Sequence, residues 1–346
     1  MAIDSRAVVV GIDNGGTKNN ATVLDASGRF LVDRMYEVPS RVTEGPDAAI
    51  EAMVEAIDLV LRACGMERSL VAVVGLDTPG PASADGVISV RGATNFAQPG
   101  WWGFDVRGAL EGRLGLPVVY NNDGNAAALY AHHVHFGPAA TGRSSLSAIV
   151  GTGLGGGVVE MGRVVKGASG QAGELGHILI PMDGLLDDDQ PMPTCNCGNL
   201  ADVESVASLT GIAKNLLPYW LGRYPGHPLA AMEPIAAAKA VRAYGEAGDE
   251  MARSLFEQQA MALGRLFTIG ANVTDPHAYF VGGGVVEASP EFGGWFLERV
   301  RDHTRLREEQ AAVAEFALVP DLDMAGARGS ALAALDQFLA RHAGIA

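Results

Sequence analysis

The 346-residue chain has only three cysteines, Cys64, Cys195 and Cys197. That is too few for a disulfide framework, and a reducing compartment is the simpler reading. Its 25 lysines and arginines are outnumbered by 40 aspartates and glutamates, for a net charge of −15. The basic footprint of a nucleic-acid binder is missing, and so is a polybasic membrane patch. The expectation is a soluble cytoplasmic protein with no nucleic-acid or membrane partner. An anionic ligand stays open, because backbone N–H groups bind phosphate without lysines. Apolar runs such as "LVAVVGL" fall far short of the roughly 20 residues needed to span a bilayer. The opening "MAIDSRAVVVGID" has no basic segment followed by a long apolar core, so no signal peptide is expected. No sequence repeat at a period of roughly 20–50 residues and no low-complexity stretch is visible.

What is present is apolar residues, 48% of the chain, and 45 glycines that fall in clusters. The length suits one large domain or two ordinary ones, each with its own core. "AVVVGID" (7–13) reads as a first strand, and "NNATVLDASGRF" with "LVDRMYEV" as two more joined at "DASG". "GPDAAIEAMVEAIDLVLRAC" has helical spacing with proline near its start. "LVAVVGL" (70–76) and "LPVVYNND" (116–123) read as strands, and "GNAAALYAHHV" as the helix after the second. Helix is expected from about 205 to 272, around 291–301 and in the tail "AGARGSALAALDQFLARH", with a strand at "AYFVGGGVV". The pattern is mixed α/β.

Three glycine clusters each follow an apolar strand: "DNGGTK" (13–18), "GTGLGGG" (151–157) and "GGG" (282–284). Strands ending in glycine let backbone N–H groups converge on an anion with no Cβ in the way. None matches the Walker pattern or a dinucleotide fingerprint, which disfavours a Rossmann dehydrogenase. Asp13 is of the type that holds Mg²⁺ through water, and Thr17 offers a hydroxyl to phosphate. Lys18 is either a phosphate cation or a solvated strand residue. Asp123, in "NND" before a helix, is either an N-cap or a general base that takes a proton from a substrate hydroxyl, as phosphoryl transfer to an alcohol requires. "TCNCGNLADVES" (194–205) opens like a zinc knuckle with no third cysteine. "HHVH" (132–135) reads as a partly exposed helix face, and "DGLLDDD" (183–189) as a solvated loop.

Taken in order, these motifs resemble the ROK sugar kinases, within the sugar kinase/Hsp70/actin superfamily. The family's D-x-G-G-T is Asp13-Asn14-Gly15-Gly16-Thr17; its Asn/Trp segment is "TNFAQPGW", with Asn95 and Trp101. N-D-x-N-A-A-A starts at Asn122, G-T-G-x-G-G-G stands at 151–157, E-x-G-H is Glu174 to His177, and the adenosine-side glycines are 282–284.

The resemblance implies a two-lobed α/β fold of the actin-like ATPase type, with duplicated ribonuclease-H-like domains and a cleft between lobes. A small domain over 1–121, with the C-terminal helix 322–346 packing back on it, would precede a large one over 122–321. ATP with Mg²⁺ would lie on Asp13, Gly15, Gly16, Thr17, Lys18, Gly151, Thr152, Gly153, Gly155, Gly282, Gly283 and Gly284. Asp123 would be the catalytic base, and Asn95, Asn122, Asp123, Glu174, His177 and Glu204 would hold a sugar or sugar-like polyol. The family's C-x-C-G-x-x-G-C-x-E keeps Cys195, Cys197, Gly198 and Glu204, with Ala201-Asp202 in place of Gly-Cys. Zinc accepts carboxylate oxygen, so the implied structural Zn²⁺ site is His177, Cys195, Cys197 and Asp202.

The resulting expectation is an ATP-dependent kinase, glucokinase-like, acting at the 6-hydroxyl of a hexose and forming a homodimer. N-acetylhexosamines, C7-cyclitols and a polyphosphate donor stay open. The rival is a sugar-sensing regulator. The family's repressors carry a DNA-binding domain ahead of the D-x-G-G-T loop, which here starts at residue 13.

Overall fold

A computed structural model describes residues 6–80, 82–89 and 96–343. The chain divides into two compact units. The first comprises Met1–Val134, Arg163–Ala172 and Asp321–Ala346; the second comprises His135–Gly162 and Gly173–Pro320.

In the first unit the order is β1 (Val8–Asn14), β2 (Lys18–Asp25), β3 (Tyr36–Pro39), α1 (Pro46–Ala63), β4 (Val71–Thr78), α2 (Val106–Leu114), β5 (Val118–Asn122) and α3 (Asp123–Phe136), whose end crosses into the second. The sheet order is β3-β2-β1-β4-β5. β1 pairs antiparallel with β2 and parallel with β4, and β4 pairs parallel with β5. Strand side chains alternate between faces. Val8, Val10 and Ile12 of β1 accordingly share a core with Met53 and Ile57 of α1.

The opposite face carries Gly11 and Gly75, register partners in β1 and β4. The C-terminal helix Leu322–Ala343 packs against these strands. A Cβ on Gly11 would lie 2.0 Å from the Ala327 carbonyl oxygen, and one on Gly75 2.0 Å from that of Ser330. Only a bare backbone at both positions admits the helix this close.

The second unit follows with β6 (Ser145–Val150) and β7 (Leu154–Glu160); the short β8 (Arg163–Val164) falls in the first unit's middle segment. Next come α4 (Glu204–Ala207), α5 (Leu209–Gly211), a π-turn over Ile212–Leu216, α6 (Leu217–Arg223), α7 (Pro234–Glu246) and α8 (Glu250–Thr274). β9 (Ala278–Gly283), α9 (Pro290–His303), α10 (Glu308–Ala311) and β10 (Glu315–Leu318) complete the unit, and the C-terminal helix already described is α11. Four strands of the second sheet run β10-β9-β6-β7. β6 is antiparallel to β7 and parallel to β9, and β9 is parallel to β10. The order and senses repeat those of β5-β4-β1-β2, so the two units are built on one plan.

The structure differs from the sequence reading in several places. The stretch "LVDRMYEV" is strand only from Tyr36, since Asp33 and Arg34 are exposed and Phe30 makes a lone bridge to Leu24. The 205–272 helix is broken by the Ser208 cap, the π-turn and Pro228. The "HHVH" helix face is partly exposed as expected: His132 is fully buried and burial drives His133 down to about 4, while Val134 and His135 are exposed and His135 pairs with Glu315 at 2.7 Å. "DGLLDDD" is a solvated loop as expected, with Asp183, Asp187, Asp188 and Asp189 exposed; only Leu185 is buried, and Tyr219 Oη donates to Asp187 and Asp189. Among the described residues no helix is long and apolar enough to cross a membrane.

Candidate functional site

In the first unit, β1 ends at a tight turn in which Gly15 N donates to Lys18 O at 2.9 Å. Thr17 and Lys18 are exposed. Lys18 Nζ lies 2.7 Å from Glu37 on the neighbouring strand, so its charge is already engaged. Asp13 accepts from Asn20 Nδ2 at 3.2 Å. Opposite it in register stands Asp77, completely buried, whose Oδ2 accepts from Ser330 Oγ at 2.8 Å. Burial pushes Asp13 above the usual carboxylate range, against hydrogen bonds from Asp77 and Asn20. Burial pushes Asp77 well above it, and the charges of Asp13 and Asp123 add to the effect. Asp77 is thus the protonated partner, donating to Asp13. The sequence reading did not single out Asp77. A signal was there: "VVGID" of β1 recurs as "VVGLD" in β4.

Asp123 is the first residue of α3. Asn122 takes the cap: its Oδ1 accepts from Gly124 N at 2.8 Å and Asn125 N at 3.3 Å. Asp123 Oδ1 also accepts from Gly124 N, at 2.7 Å. Trp101 is a core residue, with Nε1 donating to Val42 O at 2.9 Å and its ring 4.6 Å from Phe96. Asn95 lies outside the described residues.

In the second unit, Ile149 and Val150 of β6 pair in register with Gly282 and Gly283 of β9, so the two glycine turns sit side by side. Gly283 has φ +94°, and a Cβ there would lie 2.0 Å from Val150 O; Gly284 has open space around it. Gly153 faces Glu204, where a Cβ would lie 2.6 Å from Oε2. Leu154 N donates to that same oxygen at 2.8 Å. Glu174 is pushed up by burial, with His177 opposing and Glu204 adding to the rise.

His177, Cys195, Cys197 and Asp202 each bring one donor atom to a cluster in which all donors lie within 4.8 Å of one another. His177 Nδ1 is 3.2 Å from Asp202 Oδ2 and 3.9 Å from Cys195 Sγ, and Cys197 Sγ is 3.5 Å from Asp202 Oδ2. One imidazole nitrogen, two sulfurs and one carboxylate oxygen are the donor types of a four-coordinate zinc site. The loop is closed by Cys195 N to Asn199 O at 2.9 Å and Gly198 N to Cys195 O at 3.2 Å. Ala201 sits at φ +61°, a left-handed conformation suited to glycine. Without metal, burial pushes the Cys195 thiol up, and the carboxylates of Asp202 and Glu204 push the same way.

The structure therefore brings the four cluster residues and Glu204 together in one unit, and Asp13, Asn122 and Asp123 to strand ends in the other.

The family model described as the ROK family matches residues 9–337. A glucokinase of Halalkalibacterium halodurans is 32% identical over 298 residues, 85% of this chain and 84% of that one. The crystal structure of a ROK hexokinase from Thermus thermophilus aligns with a TM-score of 0.74 at 32% identity, covering 95% of this chain and 98% of that one. A ROK family glucokinase from Streptomyces griseus, solved with glucose and AMPPNP, aligns with a TM-score of 0.68 at 27% identity, covering 95% and 100%.

Proposed function

This chain belongs to the ROK family, and from that premise we propose that it is an ATP-dependent sugar kinase of the glucokinase type. Its fold is the actin-like ATPase fold, with two ribonuclease-H-like units in one chain. The observation that carries the catalytic reading is Asp123: it opens α3 at the end of β5 while Asn122 supplies the cap. Asn122 rather than Asp123 caps Asn125 N, which supports Asp123 as a base for the substrate hydroxyl.

In this reading Asp123 takes the proton of the 6-hydroxyl of a hexose as it attacks the γ-phosphate. Asn95, Asn122, Glu174, His177 and Glu204 hold the sugar hydroxyls. The turns at Asp13–Lys18, Gly151–Gly155 and Gly282–Gly284 hold ATP through backbone N–H groups, with Mg²⁺ reached from Asp13 through water. Lys18 contributes least, because Glu37 already neutralises it. His177, Cys195, Cys197 and Asp202 hold one structural Zn²⁺, a reading supported by their converging donor set. The protein works in the cytoplasm as a homodimer.

The deciding experiment is a coupled ADP-release assay over a panel of hexoses, N-acetylhexosamines and cyclitols, with ATP and polyphosphate as donors. Saturable, ATP-dependent turnover of glucose above the other acceptors is expected. Turnover of another acceptor class alone would move the substrate assignment, and no turnover with any acceptor or donor would overturn the kinase reading.

A further inference from the structure

The segment following the metal cluster is fastened to the glycine loop by four hydrogen bonds. Leu154 N donates to Glu204 Oε2 at 2.8 Å. Leu209 N donates to Gly151 O at 3.0 Å. Thr152 O accepts twice from Thr210, from its N at 3.1 Å and its Oγ1 at 3.0 Å. Three of the loop's first four residues are thus held from one side.

The same segment is tied to the cluster on its other side. Asp202 Oδ1 accepts from Ser205 N at 2.9 Å, and Cys195 Sγ lies 3.3 Å from Glu204 Oε1. Asn215, on the π-turn, accepts from Thr194 N at 3.2 Å and donates to Thr194 O at 3.1 Å and Ser205 O at 2.7 Å. Thr194 precedes Cys195 and Ser205 follows Glu204, so one amide braces both flanks of the ligand loop. π-turns are rare and, where they interrupt α-helices, frequently stand at functional sites.

We propose that Thr210 and Glu204 are positioning residues for the Gly151–Gly157 loop, and that through them the His177/Cys195/Cys197/Asp202 cluster sets how tightly that loop holds a nucleoside triphosphate. The proposal rests on the reading of this loop as a nucleotide site and of the cluster as a metal site. A metal that holds the cluster holds residues 202–210, and these hold the carbonyls of Gly151 and Thr152 and the amide of Leu154. Losing the metal loosens the loop even though no cluster residue touches the nucleotide.

The test is isothermal titration of the full-length protein with AMPPNP and Mg²⁺, before and after zinc is stripped with a chelator, with circular dichroism confirming that the stripped protein stays folded. Stripping should weaken AMPPNP binding by about 5-fold, the low end of measured couplings between sites. Zinc-loaded Thr210→Val should already bind about 5-fold more weakly, the worth of one neutral hydrogen bond, and stripping should then cost it less than about 2-fold. Thr210→Ser, which keeps the hydroxyl, should bind like the parent, and glucose affinity should not change in either variant. If Thr210→Val binds AMPPNP as the parent does, or loses as much on stripping, the coupling does not run through Thr210 and the proposal falls. Gly155→Val in the same titration separates the two levels. Unchanged AMPPNP affinity there shows that the loop is not the nucleotide site, which removes the underlying reading and the proposal with it.

Discussion

Asp77 stands directly opposite Asp13 across β1 and β4, and Ser330 Oγ of α11 donates to its Oδ2 at 2.8 Å. The row extends along the same register to Asn20 on one side and Asn121 on the other. Two carboxylates cannot both ionise at this depth, so one proton stays on Asp77 and makes it a donor to Asp13. Asparagine can reproduce that arrangement, with Nδ2 toward Asp13 and Oδ1 toward Ser330. Asp77's elevated pKa contributes stability that is complete below the unfolded value and is lost as pH rises through the folded one. Asp77→Asn should therefore exceed the parent in urea denaturation by more near pH 9 than near pH 5. Asp77→Leu should cost about 1–3 kcal/mol at both, by leaving Ser330 and Asp13 without their partner. A parent and Asp77→Asn pair with parallel pH curves would contradict the shared proton.

Asp336 on α11 is a partly buried carboxyl, pushed up to about 6 by burial with Arg163 opposing. Its sign is the same: stability present below the unfolded value and lost as pH rises through about 6. The shift corresponds to an upper bound near 3 kcal/mol, and about 1–2 kcal/mol is a fair expectation after relaxation. Asp336→Asn should raise Tm at pH 8 by roughly twice as much as at pH 5, because pH 5 lies midway between the unfolded value and about 6, as read by differential scanning calorimetry.

Asp123→Asn should lower kcat by roughly 10²–10⁴ while glucose and nucleotide affinities stay within about 3-fold. Steady-state kinetics paired with direct titration checks this. Near-normal turnover would take Asp123 out of the role of base.

Protein purified without a metal-affinity tag should carry about one zinc per chain by elemental analysis. Asp202→Ala should weaken the metal and destabilise the loop together, because Asp202 Oδ1 also accepts from Ser205 N. Asp202→Cys should keep the metal but lose that acceptor, so its zinc affinity should hold while Tm falls. Less than about a tenth of an equivalent of zinc in the parent would remove the metal claim and leave the kinase reading standing.

Ala201→Gly should stabilise the chain by about 0.5–1 kcal/mol. The left-handed φ of +61° costs alanine about 1–2 kcal/mol, and the greater freedom of glycine in the unfolded chain returns part of that. Denaturation of the zinc-loaded protein measures it, and an unchanged or lower stability would mean that the strain is absent.

The short strings that end strands in glycine and aspartate were readable because a turn that presents backbone N–H groups is a local event. Its chemistry depends on residues within reach of one another along the chain. The start of α1 at a proline and the donor types in "CNCGNLAD" belong to the same class. The repeated sheet plan was readable only through the family resemblance, not from pattern or spacing. β6 and β1 share no string, and a strand order depends on which distant segments pair, a choice made by burial on both faces. "VVGID" and "VVGLD" were both in plain view, yet only the Gly11–Gly75 register under α11 puts Asp77 against Asp13. In the same way, Glu204 carries no mark in the sequence that links it to Leu154, 50 residues away. Local string decided which residues carry the chemistry; long-range pairing decided which of them hold each other, because a hydrogen bond is set by distance in space and not by spacing along the chain.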